Sequence, residues 1–281
     1  MLIALSTLAF AQVAPECETA AASPPPDWYT DDVGQQNYLL NYFALSTTLS
    51  PTHPPVPTKP GHMSVGAELA IIPPLSCDRR LVLDRSKTED TNKTPIAPRI
   101  RALFASPKMG DTVVYGGLAY IPPVTLLGTT NVIASGELGV GVQLDKGWQF
   151  GGRYHYTLMK TVAEIASPFD PADPAVMDFY SGSTFGLDAM FGRRFGDVDL
   201  DGSEKGKGST LVPYLALGFT DASTFFYIGD DGVVANNTDP FAGFTSSLGV
   251  QLTIKKFETA GEFYMAPGYL YTGRLRFAYR F

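Results

Sequence analysis

One short acidic segment contains the first pattern in this sequence that could do chemistry. It reads Asp197-Val-Asp199-Leu-Asp201-Gly-Ser-Glu. Carboxylates at alternate positions can converge on one hard cation, and a glycine permits the sharp turn of a calcium loop. The glutamate that usually closes such a loop is absent, because Gly208 occupies its place. Two interpretations stay open: Ca²⁺ bound at 197–204 by Asp197, Asp199 and Asp201, or an acidic solvated turn, which is favoured.

The chain has three histidines, the residue type that most often acts as a general base. They are His53 in a proline-rich segment, His62 before a predicted strand, and His155 in mid-strand near Glu137. Nucleophilic catalysis needs a base beside an activated nucleophile. A histidine–glutamate pair inside a barrel is more often structural, and the chain has no phosphate-binding glycine loop or Cys-X-X-Cys motif. We therefore expect no enzymatic activity.

The elements that would position these residues have a period of two. In the last eleven residues, one face holds Tyr271, Leu275, Phe277, Tyr279 and Phe281, and the other holds Thr272, Arg274, Arg276, Ala278 and Arg280. Such alternation predicts a strand between two different environments. A soluble sandwich would bury the aromatic face, whereas a membrane barrel turns it to lipid and the arginines to the lumen.

The same alternation recurs upstream from residue 62. Clear strands are predicted at 63–71, 134–144, 148–158, 244–254 and 257–265, and weaker ones at 98–105, 112–121, 183–194 and 211–219. With the last strand this gives about ten, an even number, as expected for a transmembrane barrel.

The predicted connections alternate in length. Short turns fall at 106–111, 145–147 and 255–256, and long stretches at 73–97, 122–132, 161–181 and 220–242. Two connections fit less well, because 195–210 is long for a turn and 266–270 is short for a loop. Transmembrane barrels have short periplasmic turns and long external loops. The sequence therefore predicts an all-β, antiparallel, up-and-down transmembrane barrel over 62–281, with both termini in the periplasm.

The first 61 residues differ from the rest. Residues 1–11 fit a signal peptide, with Ala9-Phe10-Ala11 as its cleavage site. Residues 12–61 form a proline-rich extension with a short helix predicted near 33–46, which could plug the barrel, lie on the periplasmic surface or add a strand. The net charge of −7 and the pI of about 5.0 argue against nucleic acid as a partner.

Cys17 and Cys77 are the only cysteines. An exported chain could join them in one disulfide or leave both as thiols. In the predicted topology the two lie on opposite sides of the membrane, unless the N-terminal segment threads through the lumen. A disulfide would therefore indicate such threading.

The C-terminal strand, with Phe277, Tyr279 and a final Phe281, resembles the assembly signal of bacterial outer-membrane β-barrels. The chain looks similar to deltaproteobacterial barrels and, in outline only, to long-chain fatty-acid transporter barrels. The resemblance implies the outer membrane of a Gram-negative bacterium, with outer-membrane lipid, lipopolysaccharide and the barrel assembly machinery as partners.

The predicted lumen carries both signs of charge. Its residues are Glu68, Arg99, Arg101, Glu137, Arg153, His155, Asp188, Arg194, Glu258, Glu262, Arg274, Arg276 and Arg280. Buried charges are costly unless paired, so this set predicts a network of ion pairs that fills the barrel. The favoured function is a structural or scaffold barrel in an envelope assembly, such as a motility complex. The alternatives are a narrow porin-like channel for small solutes and a hydrophobic-ligand transporter with an N-terminal plug.

Overall fold

Ten long strands form a closed antiparallel barrel in the computed structural model, which describes residues 13–89, 96–126, 129–163, 177–196, 209–228 and 233–281. Neighbours in sequence are paired, β1 also pairs with β10, and the β6–β7 pairing completes the closure. The strands are Met63–Ile71 (β1), Ile96–Ala105 (β2), Thr112–Leu126 (β3), Thr129–Gln143 (β4), Trp148–Ala163 (β5), Asp178–Arg193 (β6), Ser209–Ile228 (β7), Ala242–Ile254 (β8), Phe257–Ala266 (β9) and Leu270–Arg280 (β10).

The period of two in the sequence becomes an inside and an outside. In β10, Arg274 and Arg276 are buried, whereas Leu275 and Phe277 between and after them are exposed. Large apolar side chains are exposed on the outer face of every barrel strand. A polar interior and an apolar exterior are the reverse of a water-soluble protein, and they confirm the predicted barrel.

Two predicted loops are largely strand. The stretch predicted as an external loop at 122–132 continues the β3–β4 ladder, with a register shift between Ile121 and Val124. The bulge accommodates Pro122 and Pro123, which cannot donate to the ladder. Likewise, β7 runs on to Ile228 and pairs with a short strand, Val233–Asn236, inside the predicted loop 220–242.

Two of the three helices precede β1 in the chain, and the third lies between β1 and β2. They are Glu18–Ala22 (α1), Asp32–Thr47 (α2) and Cys77–Arg80 (α3), and short 3₁₀ turns occur at Pro15–Cys17 and Asp145–Gly147. The Asp31 side chain caps α2 by accepting from the Gly34 amide at 2.7 Å. Among the described residues, no helix is long and apolar enough to cross a membrane.

The barrel has two different ends. We call one the long-loop end, where the chain passes from β1 to β2, from β5 to β6 and from β7 to β8. The other is the short-turn end, where the turns 106–111, 144–147 and 255–256 lie and where β6 is connected to β7. Phe281 is at the short-turn end, where its amide donates to Met63 O at 2.8 Å. Cys17 is at the long-loop end, because it is bonded to Cys77, just after β1. The described chain therefore begins and ends at opposite ends of the barrel, which differs from the expectation that both termini share one side.

Candidate functional site: the occupied lumen

The N-terminal extension runs through the barrel from one end to the other. It enters at the long-loop end as α2, continues as an extended chain, and leaves at the short-turn end to begin β1 at Met63. Every residue from Ala44 to Thr58 is buried. We call residues 32–60 the plug. The sequence left open whether this segment plugs the barrel, lies on the periplasmic surface or adds a strand, and in the structure it plugs the barrel.

The helical part of the plug fills the mouth at the long-loop end. Leu40 packs with Ile133 and Met159 on one side, and Leu45 packs against Leu270 on the other. Asn41 donates to Asp239 O at 2.9 Å. Apolar contacts on two sides and polar contacts to the loops therefore hold α2 inside the mouth of the barrel.

Below the helix, arginines of the wall bind the main chain of the plug. Their acceptors are the carbonyl oxygens of residues 47–50, approached from three different strands. Arg99 donates to Thr47 O (3.3 Å) and Thr48 O (3.4 Å), Arg274 to Thr48 O, Arg153 to Leu49 O, and Arg101 to Ser50 O (3.0 Å). Charge-assisted bonds of this kind are stronger than neutral ones.

Carboxylates of the wall bind the donors of the plug. Glu262 accepts the Thr52 amide at 2.8 Å, and Glu68 accepts the Thr52 hydroxyl at 2.9 Å. Further along, Glu258 accepts the Thr58 hydroxyl at 2.6 Å. Thr52 has a φ of 46°, a left-handed conformation that a β-branched residue rarely adopts. The surrounding carboxylates hold Thr52 in this conformation, because a strained residue persists only where its neighbours fix it.

The wall charges also pair with one another around the lumen. Glu68 on β1 binds Arg99 at 2.9 Å and Arg101 at 2.7 Å, both on β2. Glu137 on β4 is shared by Arg101 and by Arg153 of β5, the latter at 2.7 Å. This continuous chain of ion pairs matches the predicted network, but it encloses a polypeptide rather than filling the barrel by itself.

The remaining predicted lumen residues extend the network on both sides. Asp188 lies 2.8 Å from Arg153 and 3.7 Å from His155. Glu258 lies 3.4 Å from Arg276 and 4.0 Å from Arg280. Two positions take other partners: Glu262 is opposite Arg274 in the ladder but bonds to the plug and to Tyr214, and Arg194 is half-buried at the short-turn end, where its amide donates to Gly147 O.

The charges in the middle of the lumen balance. There, among the described residues, five arginines face five acids; Asp178 is buried in addition at the long-loop end, where β6 begins, and Arg194 and Arg280 lie at the short-turn end. The arginines are Arg99, Arg101, Arg153, Arg274 and Arg276, and the acids are Glu68, Glu137, Asp188, Glu258 and Glu262. A neutral interior of this kind suits an uncharged occupant better than a free anion.

Glycines on the inner face make room for the prolines of the plug. A side chain at Gly141 would overlap Pro55 O, and one at Gly151 or Gly192 would come within 3.1 Å of the Pro55 ring. These glycines lie on β4, β5 and β6, which are adjacent strands. Together they form a notch that fits one proline ring.

Covalent and aromatic contacts fasten the plug at the long-loop end. The structure joins Cys17 and Cys77 in a disulfide, the outcome expected if the N-terminal segment threads the lumen. The Arg79 guanidinium lies 3.5 Å from the centroid of the Trp28 ring and 3.7 Å from that of Tyr38. Tyr38 stacks on Tyr269. Burial lowers the pKa of Arg79 from its ordinary value, and the rings on both faces compensate through cation–π attraction.

Of the candidate catalytic and metal-binding residues, the structure describes the histidines but not the aspartates of the predicted calcium loop. His53 is fully buried 3.3 Å from Glu137, so it serves the plug–wall contact and has no access to solvent. Asp197, Asp199 and Asp201 lie outside the described residues, and the calcium loop stays a prediction.

Sequence reasoning missed residues 47–52 and 58 as the partners of the wall charges. One signal was present: residues 33–58 contain no Asp, Glu, Lys or Arg, although they adjoin a barrel with a charged interior. An uncharged segment of that length with several prolines matches a neutral, narrow lumen.

Comparisons with known proteins find only solved structures of low similarity. No family model matches the chain, and no curated relative matches it. Among solved structures, the translocator domain of the autotransporter NalP from Neisseria meningitidis matches with a TM-score of 0.39 and 13% identity, over 80% of this chain and 90% of that one. Ail of Yersinia pestis, the attachment invasion locus protein, matches with 0.31 and 10% identity, over 78% and 97%. The toluene transporter TodX of Pseudomonas putida matches with 0.30 and 9% identity, over 84% and 94%.

These scores are too low to transfer any role, and the class rests on the molecule itself. Ten strands close without an edge, the outer face is apolar and the charges are inside. The chain is a ten-stranded antiparallel barrel of the outer-membrane β-barrel class.

Proposed function

We propose that this chain is a closed scaffold barrel that presents its long-loop end to partners in an envelope assembly. The observation that carries the proposal is that every residue from Ala44 to Thr58 is buried, so the plug occupies the space through which a solute would pass. Short turns face the periplasm in barrels of this class, so residues 13–31 would lie outside the cell and Phe281 inside the periplasm. No catalytic role is proposed.

Two measurements test the scaffold proposal. Single-channel recording of the oxidised full-length protein in a planar bilayer should give no steady openings, because the plug stays in the lumen. Crosslinking in intact envelopes, followed by purification, should recover a stoichiometric partner at the long-loop end. Steady openings in the first experiment, or the absence of any such partner in the second, would contradict the proposal. A motility complex is one candidate assembly, and loss of surface spreading in a deletion strain would support it.

A narrow channel for small solutes is the second candidate. It is favoured by the wall charges, which would line an aqueous path if the plug moved aside. A variant without residues 12–61 should then conduct, with weak ion selectivity because five arginines face five acids. Transport of a hydrophobic ligand is less well supported, because the middle of the described lumen is charged.

A further inference from the structure

The lumen wall recognises features that every polypeptide has. Four of its five buried arginines donate to consecutive main-chain carbonyls, those of residues 47–50. Glu262 binds the main-chain amide of Thr52. Side chains of the plug contribute hydroxyl contacts at Thr52 and Thr58 and an imidazole contact from His53 to Glu137 at 3.3 Å.

We propose that the lumen is a binding site for an extended, uncharged, proline-containing polypeptide, and that it accepts such a segment from another chain when its own is displaced. This goes beyond the scaffold role, since it assigns the interior a ligand class of its own. In the middle of the lumen, around residues 47–58, the numbers of arginines and acids are equal, which favours an uncharged ligand because any added charge there would lack a counterion.

Shape adds one element of sequence preference. The notch formed by Gly141, Gly151 and Gly192 surrounds Pro55. Proline restricts the unbound chain, so an extended proline-rich segment loses little entropy on entering the lumen. The ligand class is therefore defined by three properties: extended backbone, no charge, and a proline placed to meet the notch.

The experiment uses the full chain, cut only after folding. Protease sites are introduced at residues 24–26 and at Gly61, all of which lie in exposed or half-buried segments outside the lumen. After cleavage the plug is held without a covalent bond to the barrel. A fluorescent synthetic peptide of residues 43–59 is then titrated in, and its anisotropy is measured with and without unlabelled competitor.

Two further peptides separate main-chain recognition from side-chain recognition. A peptide with Thr52→Asp should bind at least 100-fold more weakly, because its carboxylate would face Glu68, and the neighbouring Arg101 is already paired with Glu68 and Glu137. A peptide in which residues 47–50 are replaced by other small uncharged residues should bind within about tenfold of the native sequence, because the carbonyl acceptors are unchanged. A photoreactive group at position 55 should crosslink to β4, β5 or β6.

The outcomes are decisive in either direction. Saturable binding to the cut protein, absent in the uncut protein and sensitive to Thr52→Asp, supports the proposal. No saturable binding, equal binding to cut and uncut protein, or an equally large loss with the peptide altered at 47–50 would overturn it.

Discussion

Gly141 offers the sharpest test of whether the plug is tightly fitted in solution. The inner face of β4 at this position leaves no space for a methyl group, because an added Cβ would overlap Pro55 O. Overpacking of this kind costs about 1–3 kcal/mol. At Gly152, on the adjacent strand, the nearest atom to an added Cβ is Asp188 O at 4.0 Å, and alanine there should stabilise the strand by about 0.5–1 kcal/mol. The gain from replacing a strand glycine is common to both variants, so Gly141→Ala should be less stable than Gly152→Ala by about 1–3 kcal/mol.

The two variants form a matched pair, since each adds one methyl group to a neighbouring strand of the same barrel. Urea unfolding in lipid vesicles, with the folded fraction measured by gel mobility, gives the difference between the two variants in free energy of unfolding. The same preparations in a planar bilayer should show more current noise for Gly141→Ala than for Gly152→Ala, because a displaced proline loosens the seal. Equal stability and equal noise would mean that Pro55 does not occupy the notch.

Three other changes test the network, the disulfide and the aromatic contact. Glu137→Gln removes a fully buried carboxylate shared by two arginines and should lower the free energy of unfolding by about 3–5 kcal/mol, whereas Glu16→Gln, at a surface pair, should change it by less than about 1 kcal/mol in the same urea assay. Reducing the disulfide of Cys17, whose partner is 60 residues away, should destabilise the fold by about 4 kcal/mol, and an unchanged urea midpoint would count against the closed loop. Arg79→Ala removes the cation–π contact with Trp28, worth about 0.5–2 kcal/mol, and should speed proteolysis of the segment before α2; an unchanged cleavage rate would refute that contact.

The barrel could be predicted from the sequence because its signal is local. In β10, alternate residues are aromatic and cationic, and once the alternating loop lengths indicate a membrane barrel, this pattern fixes which face meets lipid and which meets the lumen. The register of β8 with β9 also followed from the sequence, since a two-residue turn at 255–256 places Thr253 opposite Glu258, as observed. The predicted loop at 122–132 was wrong, because a bulge at Pro122 and Pro123 lets the ladder continue past them.

The occupant of the lumen could not be predicted, because its contacts are non-local. Thr52 meets Glu262 across 210 positions of sequence, and neither residue carries a pattern that names the other. The numbers of charges alone allowed the wall residues to pair with one another, as Glu258 and Arg276 do. They could not show that Glu262, opposite Arg274 in the ladder, would bind the plug instead.

The disulfide and the barrel together determine the path of the plug. Cys17 is held at the long-loop end by Cys77, and Met63 begins β1 at the short-turn end, so the intervening chain must join the two ends of the barrel. An extended segment cannot run along the outer face, because its unpaired peptide groups would lie in lipid. The lumen is the remaining route. While the disulfide is intact, the wall arginines always have a polypeptide beside them, and any opening must occur around the plug and not by its departure.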